Sequence, residues 1–163
     1  MLTNNEQGRA LINSAAYAII SEKAPHELPL YVSYRDSYFA NPKLFLETPQ
    51  TKDEALGFGT SIHLEAFSQV VFPILSTMLT LLIQEAVKAM GKDTGTSAVK
   101  WLQGLFDKKP NDKAPTFTSK QLAEIKKELD KIADKESRCL NIKKPEIEII
   151  RDALLARLAL HNS

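Results

Sequence analysis

The sequence predicts an all-α protein, a bundle of six to eight helices around one central apolar helix (about 61–90), with a C-terminal helical hairpin. Three observations predict it. Residues 66–84 are 19 residues without a charge, a length and composition typical of a fully covered helix. The flanking segments repeat apolar residues at spacings of three and four, as amphipathic helices do. The alternating patterns of strands are almost absent.

Capping residues and prolines place the N-terminal helices. Thr3 and Glu6 have the spacing of a capping box, and the apolar face behind them predicts a helix from about residue 4 to 23. Because proline suits the first turn of a helix and disrupts its interior, Pro29 and Pro42 predict short helices over 29–39 and 42–47.

Three tyrosines share one face of the second helix. Tyr31, Tyr34 and Tyr38 are spaced by three and four residues. Such a stripe is compatible with a stacking platform for bases, with a protein-binding hot spot, or with the edge of a core from which hydroxyls reach water. The sequence favours the core edge.

The central helix has two interpretations. Its uncharged run is long enough to cross a bilayer, and it is also what the buried helix of a bundle looks like. A weak polar stripe through Ser76, Thr80 and Gln84 suits close contact between helices in either setting. Pro73 predicts a kink or a division into 61–72 and 73–90.

A second amphipathic segment follows, with a tryptophan and flanking lysines. From Ala98, its apolar face contains Trp101, Leu102, Leu105 and Phe106. This composition occurs at membrane interfaces and also on helices that lie across a bundle. The candidate core or membrane contacts are therefore Val70, Ile74, Met78, Leu81, Trp101 and Phe106.

The C-terminal part of the sequence predicts a separate hairpin. Charged residues and two prolines over 108–117 predict a linker between a bundle of residues 1–107 and a hairpin of residues 118–163. The first hairpin helix has an apolar seam of two heptads, too short to establish a coiled coil. We take this seam as the candidate surface for self-association or for a protein partner: Leu122, Ile125, Leu129 and Ile132.

The distribution of charge and the cysteine content indicate which classes of partner and which cellular compartment to expect. Residues 1–91 contain six Lys/Arg and nine Asp/Glu, net −3, and residues 92–163 contain fifteen and eleven, net +4. A mild asymmetry of this kind makes nucleic acid an unfavoured partner. The single cysteine and the lack of a signal-peptide pattern predict a cytoplasmic protein, with membrane association as the alternative.

No motif predicts catalysis. His63-Leu-Glu65 lacks the downstream Pro-Cys-x-x-Cys of a zinc deaminase, since Cys139 is the only cysteine. The sequence therefore predicts no enzyme, no metal, no cofactor and no small-molecule substrate.

Two functions follow from these patterns. The first is a non-enzymatic protein-protein interaction or regulatory module. The alternative is a membrane-active effector whose helix 61–90 inserts into a bilayer on activation.

Overall fold

A computed structural model describes residues 2–47, 67–90, 95–107, 117–139 and 142–162. Within these ranges the chain is helical and has no strand, which confirms the all-α prediction. Short 3-10 turns cover Leu2–Asn4 and Pro25–Glu27. The α-helices are α1 (Glu6–Lys23), α2 (Leu28–Ala40), α3 (Pro42–Glu47), α4 (Phe67–Met90), α5 (Gly95–Asp107), α6 (Ser119–Cys139) and α7 (Lys144–Asn162).

The start of α1 differs from the capping box predicted at Thr3. The N-cap is Asn5, whose Oδ1 accepts a hydrogen bond from the backbone N–H of Gly8 at 2.6 Å. Thr3 instead belongs to the preceding 3-10 turn and is buried. Asn is among the best N-cap residues, and here the extra turn moves the first free N–H groups two residues along the chain.

Local sequence signals do fix the starts of α2, α3 and α6. Pro29 and Pro42 lie in the first turns of α2 and α3, where a missing N–H leaves no hydrogen bond unmade. At α6, the Thr118 hydroxyl accepts from Gln121 N–H at 3.1 Å, and the Gln121 side chain accepts from Thr118 N–H at 2.8 Å. This reciprocal pair is a capping box.

The apolar helix α4 is the centre of the protein. Helices α1, α2, α5, α6 and α7 all pack against it. The described part of α4 continues through Pro73 as one helix, so it is not divided there. Residues 61–66, which the sequence also assigned to this helix, lie outside the described residues.

The hairpin of α6 and α7 packs on the same central helix. Buried residues of both hairpin helices, including Ile125 and Ile147, belong to one hydrophobic core with α4. The boundary predicted between the bundle and the hairpin depends on residues 108–116, which lie outside the described ranges, and it stays a prediction.

Candidate functional site

The inward side of α4 contains the side chains that the sequence singled out as core or membrane contacts. Val70, Ile74 and Met78 are buried, and Leu81 is partly buried against the core. Trp101 and Phe106 of α5 are buried as well, with the Trp101 ring 5.8 Å from the ring of Phe117. In this structure all six are therefore core contacts within one chain.

The outward side of α4 presents polar side chains. Thr77, Thr80, Gln84 and Lys88 are exposed there. Thr80 donates to the carbonyl of Ser76 at 2.7 Å, and Thr77 donates to the carbonyl of Pro73 at 3.3 Å. These hydroxyls satisfy themselves on their own helix, so the exposed side of α4 needs no partner to complete its hydrogen bonds.

Length and composition would allow α4 to cross a membrane. Among the described residues, Phe67–Met90 is one helix of 24 residues that contains an 18-residue window with a mean hydropathy of 1.8, and 61% of that window is buried inside the protein. The apolar helix of a soluble bundle has the same properties. The burial shows that the bundle covers most of this surface.

The N-terminus of α4 is held by a carboxylate from the start of α2. Glu27 accepts hydrogen bonds from the backbone N–H of Phe67 at 3.1 Å and of Ser68 at 2.7 Å, and from the Ser68 hydroxyl at 2.6 Å. An anion is favoured at this end of a helix because the first N–H groups and the helix dipole both point at it. Nothing in the sequence near Phe67 predicts this contact, since its acceptor lies 40 residues earlier.

The tyrosines of α2 lie at the edge of the core, as the sequence favoured. Tyr31 and Tyr38 are buried, and burial raises the pKa of both hydroxyls. Tyr31 donates to the carbonyl of Asn13, and its hydroxyl also lies against Asn13 Oδ1. The ring of Tyr38 stacks on Phe72 with 5.7 Å between centroids. Both tyrosines therefore fix α2 on its neighbours.

Exposed apolar side chains concentrate on the outer surface of α1 and α2. Tyr17, Leu30 and Val32 each keep 53% of their surface exposed. The Tyr17 ring meets the Tyr31 ring edge-on at 5.4 Å, and the Arg35 guanidinium lies 5.8 Å from the Tyr31 centroid. Sequence periodicity missed this surface because α2 has apolar residues all around its axis. On a helical wheel Val32 and Arg35 lie about 60° apart on one flank of α2, whereas Leu30 lies about 160° from Val32. We call the surface formed by Tyr17, Val32 and Arg35 the α1–α2 face.

The predicted seam of α6 points into the protein. Ile125 and Leu129 are fully buried, and Leu122 and Ile132 are partly buried against the same core. The seam packs within the monomer. Self-association through it would require these side chains to leave the core, and it stays a prediction.

A groove of about 420 Å³ lies between α1, α5 and α7. Arg157 lines it and donates to Glu22 at 2.8 Å and to the carbonyl of Leu105 at 3.4 Å, with its guanidinium 5.0 Å from the ring centroid of Phe106. The guanidinium joins the three helices, so its donors are committed to the fold.

Of the catalytic candidates His63, Glu65 and Cys139, the described ranges contain Cys139. Cys139 is exposed at the end of α6. His63 lies outside the described residues, and the described ranges contain no group of three His, Cys, Asp or Glu side chains that could hold a metal ion.

Comparisons of the chain with protein-family models, with curated proteins and with solved structures found no match.

Proposed function

We propose that this protein is a non-enzymatic helical interaction module of the cytoplasm, which binds a protein partner through the α1–α2 face. The observation that supports this proposal is where the exposed apolar surface lies. Two of the four large hydrophobic side chains exposed in the described residues, Tyr17 and Val32, belong to this face. The others are Leu30, on another flank of α2, and Ile149 of α7.

The composition and rigidity of the α1–α2 face suit protein recognition. Tyrosine and arginine are enriched among the residues that dominate binding energy at interfaces. Tyr17 is supported by Tyr31, which is itself held by Asn13, so little side-chain freedom remains to be lost on binding. The buried apolar surface of α4 has a structural role in this proposal.

Site-specific crosslinking tests the proposal. A photoreactive phenylalanine at position 17, in cells that naturally express the protein, should give one discrete adduct, with a second copy or with another protein. Val32→Asp should remove the adduct, and purified components should reproduce it. The same amino acid at Lys100, exposed on α5, is the control position. Equal adducts at both positions, or none at position 17, would contradict the proposal.

A second candidate function is supported by the length and hydropathy of α4. In this alternative the bundle opens and α4 inserts into a bilayer. Trp101 is the only tryptophan and is buried against Phe117, so it reports opening directly. Insertion predicts that vesicles of brominated lipid quench Trp101 and release a trapped dye. Unquenched Trp101 with intact vesicles, at neutral and acidic pH, would exclude it.

A further inference from the structure

The outer side of α6 has a line of five cations with one acid, Glu124, among them. We call Lys120, Lys127, Lys131, Lys135 and Arg138 the basic stripe; all five are exposed. At 3.6 residues per turn they fall within about 80° of one another and extend over about 27 Å of helix. The buried seam with Ile125 and Leu129 occupies the opposite side of α6.

This side of α6 remains positive because its five cations outnumber Glu124 and Glu128, and because two further acids of α6 pair with α7. Asp130 accepts from Arg151 of α7 at 2.8 Å, and Asp134 pairs with Lys144 at 2.8 Å. Glu128 pairs with Lys131 at 3.0 Å. The hairpin contact thus uses two of the acids of α6, and Lys131 is the cation of the basic stripe that has an ion-pair partner within the described ranges.

We propose that the basic stripe docks the protein peripherally on an anionic bilayer surface, through the field of acidic lipid headgroups. This proposal does not depend on the α1–α2 face or on insertion of α4. Exposed lysines are attracted to the surface of an anionic membrane leaflet and can remain hydrated there. The net charge of −3 on residues 1–91 and +4 on residues 92–163 would orient the molecule with its C-terminal part towards the membrane.

The composition of the basic stripe favours lipid over the other anionic partners. It contains four lysines, one arginine and no aromatic residue, whereas protein interfaces are enriched in tryptophan, tyrosine and arginine and depleted in lysine. A nucleic-acid-binding domain typically has a pI above about 9, and the pI of this chain is about 7.8. Because a bilayer surface is flat, all five residues of a straight line of charges can approach it at the same time.

Co-sedimentation with vesicles tests the proposal. The full chain should bind vesicles of phosphatidylserine and phosphatidylcholine at 0.1 M salt, and it should bind neither pure phosphatidylcholine vesicles nor the mixed vesicles at 0.5 M salt. Lys127→Gln/Lys135→Gln should weaken binding by about 30-fold, since each basic residue near an anionic surface contributes about fivefold. The matched control is Lys23→Gln/Lys100→Gln, which changes the net charge equally on exposed positions of α1 and α5.

The readouts separate this proposal from the others. Peripheral docking predicts bound protein with unquenched Trp101 and no dye release. Binding that survives 0.5 M salt, equal losses in both double variants, or no binding to the anionic vesicles would overturn the basic stripe as a membrane site. Tighter binding to duplex DNA or RNA than to the vesicles at the same salt would also overturn it, in favour of nucleic acid.

Discussion

Replacing Glu27 by alanine tests how the Pro25–Glu27 turn is joined to the start of α4. The carboxylate accepts three hydrogen bonds, from two backbone N–H groups and one hydroxyl at the start of α4, and its side chain is 13% exposed. Removing a helix N-cap costs about 0.5–2 kcal/mol, and hydrogen bonds to charged groups contribute roughly 1.5–3 kcal/mol. For Glu27→Ala we expect a loss of about 2 kcal/mol, near the top of the capping range, because the acceptor is charged and mostly shielded from water.

Urea unfolding followed by circular dichroism and by Trp101 fluorescence measures this loss. The midpoint should fall while the slope with denaturant stays the same, since the buried surface hardly changes. The melting temperature should fall by roughly 4–8 °C, because about 1 kcal/mol corresponds to about 2–4 °C for a domain of this size. Glu27→Gln, which keeps one acceptor and loses the charge, should fall in between.

The matched control is Glu124→Ala, which removes a carboxylate from an exposed position of α6. Exposed substitutions of this kind change stability by less than about 0.5 kcal/mol. A Glu27→Ala protein as stable as this control would refute the cap on α4 and the packing of the Pro25–Glu27 turn against it.

Three further substitutions probe other contacts. Gly8→Ala places a Cβ 2.0 Å from the Leu2 carbonyl oxygen, so calorimetry should show a loss of roughly 1–3 kcal/mol from overpacking. Leu129→Ala should cost roughly 2–5 kcal/mol in urea unfolding, because a fully buried leucine leaves a cavity. Lys144 lowers the pKa of Asp134 through their hydrogen bond. Lys144→Gln should therefore raise the pKa of Asp134 towards its ordinary value in an NMR titration. In the wild type, the lowered pKa stabilises the fold at pH values above the pKa of the unfolded state, and this stabilisation is lost as the pH falls through the folded-state pKa. The variant should lack this pH-dependent stabilisation.

Each of these three substitutions has a control at an exposed position. Gln7→Ala and Lys126→Ala change exposed positions on α1 and α6, and Lys120→Gln removes a lysine from the other end of α6. A Gly8→Ala protein more stable than wild type would show that helix propensity outweighs the clash at the first turn. A loss below about 1 kcal/mol for Leu129→Ala would place that residue outside a packed core. An unchanged Asp134 pKa in Lys144→Gln would exclude the ion pair.

Periodicity and local chemistry were sufficient to predict the helices. The starts at Pro29, Pro42 and Thr118 depend only on residues within one turn, and these predictions agree with α2, α3 and α6. The seam of α6 was also correctly assigned to one apolar side. Periodicity reports which side of a helix avoids water, and it does not report what covers that side.

The coverage of each apolar side was decided only by the tertiary structure. The same uncharged run satisfies the sequence criteria for a membrane helix and for a core helix, and the packing of α1, α2, α5, α6 and α7 is what buries most of it. Likewise, the spacing of Leu122 to Ile132 fits a partner in another chain as well as one in the same chain. In the structure this seam faces the core of its own chain.

The sequence by itself determined an all-α chain with a central apolar helix and the starts of α2, α3 and α6, because these follow from short-range periodicity and backbone chemistry. The tertiary structure decided the contacts between distant residues. Glu27 accepts hydrogen bonds at the start of α4, Arg157 donates to Glu22, and Arg151 pairs with Asp130, which leaves the basic stripe with an excess of positive charge. Each of these contacts needs two segments brought together by packing, and no local pattern in either segment specifies the other.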